Sequence, residues 1–383
     1  MARVRIAPRL AQQYSTRAAF FIAGFSGAAW AALVPLAQRH TQIGNGALGL
    51  LLLCLGFGSV IAMPFAGKII AKWGCRNTLL LSGLLLASML PLLAFLSWVP
   101  ALGVCLMLFG VGLGSMDAAM NVQALIVERS AGRPMMSGFH GIFSIGGVGG
   151  AGSMSALLHV GFSPEIASLS VACVVVLLLA ISTPSNLQEG GESHHPVFVR
   201  PHGFIILLGG ICFITFLSEG AVLDWGGVFL TSERHFPPTQ GGWGYVLFSA
   251  AMTICRLMGD RGVKWLGRSR IVFLGGLIAA SGFVIIVALD NVGIVLLGYA
   301  LIGIGCANIV PVTYHALGRQ KVMPESVAVS AVTAMGYAGG LAGPALIGLV
   351  AYLGGLSLAF GSLSILLVLV AACCSFVADR ERR

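Results

Sequence analysis

The sequence predicts an all-α membrane protein of twelve transmembrane helices in two six-helix bundles, on the strength of three observations. The 383 residues are 57% hydrophobic and only 9% charged, whereas soluble domains are charged at roughly a quarter of their positions. The apolar residues form runs of helix length, about 20 residues, and not the alternating segments of about ten that mark an outer-membrane barrel. The basic residues crowd into alternate gaps between those runs. The formal charge of +9 is therefore an orientation signal and no nucleic-acid patch.

With Pro, Gly and charge as punctuation, the spans fall at 17–38, 47–69, 78–97, 101–127, 136–158, 163–183, 203–230, 241–263, 271–289, 292–318, 326–352 and 355–377. Span 1 follows Arg3, Arg5, Arg9 and Arg17. That basic start would suit a signal peptide, but eleven further runs make a retained first helix the reading. Pro100, Pro134, Pro201 and Pro238 precede spans 4, 5, 7 and 8, Pro164 stands at the start of span 6, and Gly354-Gly355 lies where span 11 gives way to span 12. The long polar connection, 184–202, carries Gln188, Glu189, Glu192, His194 and His195. It divides the chain into an N-terminal bundle (1–183), a cytoplasmic linker (184–202) and a C-terminal bundle (203–383).

With the N-terminus on the cytoplasmic side, all of the 22 Lys and Arg except Arg39 and Arg234 lie on that face. This predicts both termini inside and an even number of spans. A bacterial inner membrane is the expected location. The halves also resemble each other. A shift of 193 residues superposes ten glycine pairs, among them 74 on 267, 83 on 276, 110 on 303, 112 on 305, 146 on 339 and 150 on 343. Chance would align about four, given 53 glycines. An even helix count per repeat predicts a parallel duplication with the solute site between the halves near mid-depth.

Span 4 organises the functional reading. Its stretch Gly110-Val111-Gly112-Leu113-Gly114-Ser115-Met116-Asp117-Ala118-Ala119-Met120-Asn121 places a carboxylate in hydrocarbon, which is costly and by default functional. Asp117 and Asn121, four apart, share one helix face. Asp117 is read as a proton-coupling or substrate-contacting group, with a permanent interhelical hydrogen bond as the alternative. Asn121 and Gln123 both donate and accept, which suits a hydroxylated solute; an interhelical clamp is the other reading. His140 of span 5 is either a proton relay or a loop-proximal hydrogen bond. Glu219 of span 7 falls on Ser26 under the shift and supplies the acid that span 1 lacks, whereas Asp224-Trp225 reads as an outer anchor. In span 10, Asn308 and Tyr314 flank Pro311, which frees a carbonyl and permits a kink. Trp30 completes the expected substrate-binding set of Asn121, Gln123, Asn308 and Tyr314.

The loop Gly67-Lys68-Ile69-Ile70-Ala71-Lys72-Trp73-Gly74-Cys75-Arg76 is similar to the cytoplasmic loop of the major facilitator superfamily, in which an Asp-Arg pair stands between two glycines. Here Ala71 replaces the usual aspartate and Cys75 a basic residue. The second half carries Arg256-Leu257-Met258-Gly259-Asp260-Arg261 in the equivalent place. By this resemblance Arg76, Arg256 and Asp260 are the expected gating residues, with a solvated helix end as the alternative for Arg256 and Asp260. The span-4 stretch, Gly138-Phe139-His140-Gly141-Ile142-Phe143-Ser144 and Glu219-Gly220-Ala221-Val222-Leu223-Asp224-Trp225 resemble a poorly characterised bacterial branch related to fucose-type sugar/proton symporters, which also carry an acid on span 1. The resemblance implies a proton-coupled secondary transporter of a small polar, sugar-like solute. A proton-driven exporter of amphiphilic compounds is the alternative, though the Gly343-Pro344 pair of the antiporter motif lies in span 11 and not in span 5.

Nothing in the sequence points to an enzyme, a cofactor or a metal. There is no CxxC, no His/Cys cluster and no phosphate-binding GxxxxGK[ST] motif. The expected partners are a small-molecule substrate, protons and membrane lipid, with the chain acting as a monomer and without nucleic acid.

Overall fold

The computed structural model describes residues 10–132, 135–189, 203–317 and 325–377, and every extended element among them is helical. Twelve α-helices follow in order: α1 (Leu10–Thr41), α2 (Asn45–Phe95), α3 (Val99–Ala131), α4 (Met136–His159), α5 (Pro164–Ser182), α6 (Gly203–Ser232), α7 (Trp243–Leu257), α8 (Gly259–Leu266), α9 (Arg268–Ala288), α10 (Val292–Cys306), α11 (Ile309–Leu317) and α12 (Glu325–Ala372). Their numbering does not match the spans one for one. At 1.5 Å per residue the 51-residue α2 and 48-residue α12 would each be more than twice as long as a bilayer is thick. Each contains two spans joined at a glycine turn, Gly74 in α2 and Gly354-Gly355 in α12. Span 8 is shorter than expected. It ends at Leu257, and α8 is a separate two-turn helix. Span 10 breaks into α10 and α11.

Local signals set several ends. Ser163 accepts a hydrogen bond from Ile166 N (3.4 Å) ahead of Pro164 and Glu165, and Asn291 accepts one from Ile294 N (3.2 Å). Both are N-caps. Gly132 closes α3 in the left-handed region (φ 66°). The Glu128 carboxylate accepts from Met135 N and Met136 N (2.6 and 2.7 Å) and so caps α4 from the end of α3.

The chain forms two compact units. The first comprises Met1–Gln42 and Cys54–His194, the second Ile43–Leu53 and His195–Arg383. The division therefore departs from the expected 1–183 and 203–383 at residues 43–53, where Gly49 meets Gly348 and Trp225 in the second unit. The connection departs too. Its opening residues are bound to the first unit, with Arg76 N donating to Leu187 O (2.7 Å) and Cys75 N to Glu189 O (3.3 Å). Residues 190–202 of the expected linker lie outside the described residues.

Within each unit the glycine repeat becomes a repeated contact. A methyl group at Gly110 would fall on the Leu55 carbonyl, and one at Gly303 on the Phe248 carbonyl; 55 and 248 are themselves 193 apart. Gly146 likewise abuts the Phe21 carbonyl and Gly339 the Phe213 carbonyl. Small residues let helix backbones touch where apolar attraction between helices is absent, because lipid is as apolar as leucine. Ser59 adds a hydrogen bond to Gly110 O (2.8 Å) across the same α2–α3 contact. Gly74 and Gly267 share a second property, nearly identical left-handed backbones (φ 78° and 80°). In the second unit's core, Phe229 stacks on Phe360 with centroids 4.8 Å apart, and Phe283 meets Phe360 edge-on at 5.5 Å.

Overpacking of this kind costs about 1–3 kcal/mol. Gly110→Ala and Gly303→Ala are expected to lower the melting temperature of the detergent-purified protein measurably. Gly138→Ala, which has open space around it, is expected to leave the temperature unchanged in the same assay.

Candidate functional site

In the second unit the chemistry begins with a missing hydrogen. Pro311 has no N–H, so the carbonyl four residues earlier, Ala307 O, has no helical partner. The helix breaks there, between α10 and α11. Arg256 at the last turn of α7 fills the vacancy, its Nε donating to Ala307 O at 3.3 Å. Asn308 in the break donates through Nδ2 to Cys255 O at 3.1 Å, and Gly259 lies so close to Asn308 Oδ1 that no side chain fits. The two interrupted helices are thus tied by complementary bonds.

The other edge of Arg256 reaches α6. Its Nη2 lies 3.3 and 3.4 Å from the two Glu219 oxygens. The Glu219 side chain is 17% exposed and that of Arg256 36%, so the acid is the more enclosed partner. Tyr245 of α7, its ring 5.9 Å from that of Phe248 between centroids, lies within electrostatic reach of Glu219, Arg256 and Asp224. Asp224 is half-buried and carries no hydrogen bond or ion pair among the described residues.

The first unit holds a simpler arrangement. Asp117 is half-buried on α3, and Asn121 one turn on donates to its backbone oxygen (2.9 Å) and to Oδ1 (3.3 Å), as their four-residue spacing allows. On α1, Ser26 Oγ and Trp30 Nε1 are both buried without a hydrogen-bond partner. They too are four residues apart. His140 is exposed, edge-on to Phe20 at 5.1 Å between centroids.

Several expectations change on inspection. Gln123 is fully buried, donating to Thr16 Oγ1 (3.1 Å) and Asn186 Oδ1 (2.9 Å) and accepting from Leu187 N (3.0 Å). Its amide is consumed in anchoring the start of the connection and is not available to a solute. Asn308 is spent on the helix break. Tyr314 shares a hydrogen bond with Thr333 (2.7 Å) and packs on an apolar cluster. Of the expected gating residues, Arg256 pairs with Glu219, and the Asp260 side chain lies outside the described residues. Arg76 engages Leu187 through its backbone. Tyr245 and Asn186 were missed. Asn186 had no readable signal, since its partner is 63 positions away.

A duplicated assembly of apolar helices with charged side chains held inside each half defines a multi-pass membrane protein of the transporter class. The chain belongs to the Major Facilitator Superfamily, whose family model matches residues 16–327, and it is accordingly a secondary transporter. It is 47% identical to an uncharacterized MFS-type transporter of Yersinia pestis over 96% of both chains. It is 30% identical to an uncharacterized transporter of Sinorhizobium fredii over 92% of this chain and 95% of that one. Among solved structures it is similar to a mutant of the nucleoside transporter NupG, with a TM-score of 0.76 at 13% identity over 96% of this chain and all of that one. A bacterial homolog of the human lysosomal transporter Spinster gives 0.68 at 12% identity, with 95% of each chain covered.

Removing Arg256 alone strands an acid that is mostly buried, whereas removing both partners does not. Arg256→Gln is therefore expected to destabilise the protein more than Arg256→Gln combined with Glu219→Gln. A double-mutant cycle on thermal stability is expected to return a coupling of about 0.5–3 kcal/mol; additive losses would contradict the pairing.

Proposed function

We propose that the protein moves a small polyhydroxylated solute, sugar-like in its hydroxyl pattern, together with protons. The Glu219–Arg256 pair is the single observation that carries this reading. A proton placed on Glu219 cancels its charge and removes the attraction for Nη2, while Arg256 keeps its hold on Ala307 O. Protonation thereby loosens α6 from α7 without releasing the α7–α10 tie. That is a two-state element of the kind a coupled transporter requires. Asp117, hydrogen-bonded only within its own helix among the described residues, is the second exchangeable acid, and membrane-embedded acids serve ion pathways.

The unpartnered Trp30 and Ser26 and the amide of Asn121 are the proposed solute contacts, since they offer the donors and acceptors that hydroxyl groups need. His140 is retained as an accessory proton carrier. Uptake across a bacterial inner membrane, with cytoplasmic termini and a monomeric chain, is the arrangement we favour. The distribution of Lys and Arg supports the orientation.

The test begins with a thermal-shift panel of sugars, polyols and nucleosides on purified protein, nucleosides being included because the fold neighbour NupG is a nucleoside transporter. A bound ligand raises stability by mass action. The hit is then added to proteoliposomes enclosing a pH dye. Wild type is expected to move protons with the solute. Asp117→Asn and Glu219→Gln are each expected to reduce that movement to background while still binding the solute. Full proton movement in both variants would rule the reading out, and a response confined to apolar toxic compounds would favour export.

A further inference from the structure

The first unit contains a basic cup around Arg76, apart from the groups proposed above to carry protons and solute. Where α2 turns at Gly74, Lys72 and Trp73 lie before the turn and Arg76, Asn77 and Leu80 after it. Thr183 and Gln188, from the end of α5 and the segment beyond, close the third side around a cavity of about 490 Å³, within the range of small-ligand sites. The cup is built and not incidental. Any side chain at Gly74 would strike the Gln188 carbonyl, and the bonds from Arg76 N to Leu187 O and Cys75 N to Glu189 O fix the rim.

Among the described residues its charges are uncompensated. The ion pairs among the described residues join Arg234 to Asp290 and Arg256 to Glu219, so neither Lys72 nor Arg76 has a described acid within ion-pair distance. The exposed Glu189 on the rim contributes its backbone oxygen to Cys75, and no pair. Ala71 stands where a neutralising aspartate would otherwise be. Thr183 Oγ1 is buried without a hydrogen-bond partner. An ammonium, a guanidinium, a hydroxyl and the Gln188 carboxamide line one cavity, beside Asn77, whose Nδ2 donates to Trp73 O (3.1 Å), and they form a donor set for an anion with several acceptor oxygens. Phosphate matches it better than a carboxylate, because it offers oxygens in three dimensions to both the fork of Arg and the point charge of Lys. Trp73, 47% exposed, gives the cup an aromatic wall of the type that is enriched where helices meet headgroups.

We propose that this cup binds an anionic phosphate group at the membrane surface, carried by a lipid headgroup or by free phosphate. The site would tie α2 and the start of the inter-repeat connection to that ligand.

The test is native mass spectrometry and thermal shift on the full-length purified protein with phosphatidylglycerol, phosphatidylcholine or inorganic phosphate. Lys72→Gln/Arg76→Gln is compared with Arg261→Gln/Lys264→Gln, a charge-matched pair on exposed positions of α8. Each basic group near an anionic phosphate is worth roughly fivefold in affinity. The cup variant is therefore expected to bind roughly 30-fold more weakly, and the α8 variant like wild type. Saturable binding of phosphatidylglycerol but not of free phosphate identifies a lipid; the reverse identifies phosphate itself. Should the double variant fail to fold, Thr183→Val and Lys72→Gln singly are each expected to weaken binding several-fold with an unchanged ligand-free melting temperature. Equal losses in the cup and α8 pairs, unaltered binding in both single variants, or no saturable binding to wild type would overturn the proposal.

Discussion

Arg256 satisfies two demands that hydrocarbon makes at once. A helix broken inside a membrane exposes a carbonyl that lipid cannot solvate, and an acid there needs a countercharge or a proton. Pro311 creates the first need at Ala307 and Glu219 the second, and one guanidinium meets both. Arg is suited to this because its donors are fixed in a plane and point in different directions. The contacts to Glu219, at 3.3 and 3.4 Å from a single nitrogen, are longer than the charge-assisted optimum of about 2.8 Å. The carboxylate is held in place without being locked.

Duplication explains the scaffold, and departures from it explain the chemistry. The backbone contacts at Gly110 and Gly303 recur in register because each half solved the same packing problem with the same residue. The acids do not recur. Under the 193-residue shift Glu219 corresponds to Ser26, Arg256 to Met63, Pro311 to Ala118 and Asp117 to Val310. Each half therefore keeps acids that its counterpart lacks. A proton-sensitive pair belongs to the second unit and a lone acid with its asparagine to the first.

Much of the fold was legible in the sequence because a membrane imposes a simple rule: an apolar run of sufficient length becomes a helix. Gly354-Gly355 announced a turn, and Pro311 announced a kink with a free carbonyl, both of which the structure contains. The end of span 8 at Leu257 was hidden, since Arg256, Asp260 and Arg261 read equally well as a charged helix terminus. The site was less legible. Sequence spacing found Asp117 with Asn121, partners on one helix turn, but not Arg256 with Glu219, 37 positions apart, or Gln123 with Asn186. Gln123 and Asn308 looked like solute contacts because a polar group in hydrocarbon must be satisfied by something, and composition alone does not distinguish a solute from a neighbouring backbone.

The account turns on whether Glu219 gains and loses a proton in place. Infrared difference spectroscopy of the purified protein in lipid, titrated across the pH range in which it stays folded, follows the protonated-carboxyl stretch directly. A titrating band that loses separate parts of its amplitude in Glu219→Gln and in Asp117→Asn is the predicted result. A Glu219→Gln spectrum identical to wild type at every pH would mean that the carboxylate never leaves its ionised pairing with Arg256, and would contradict the account.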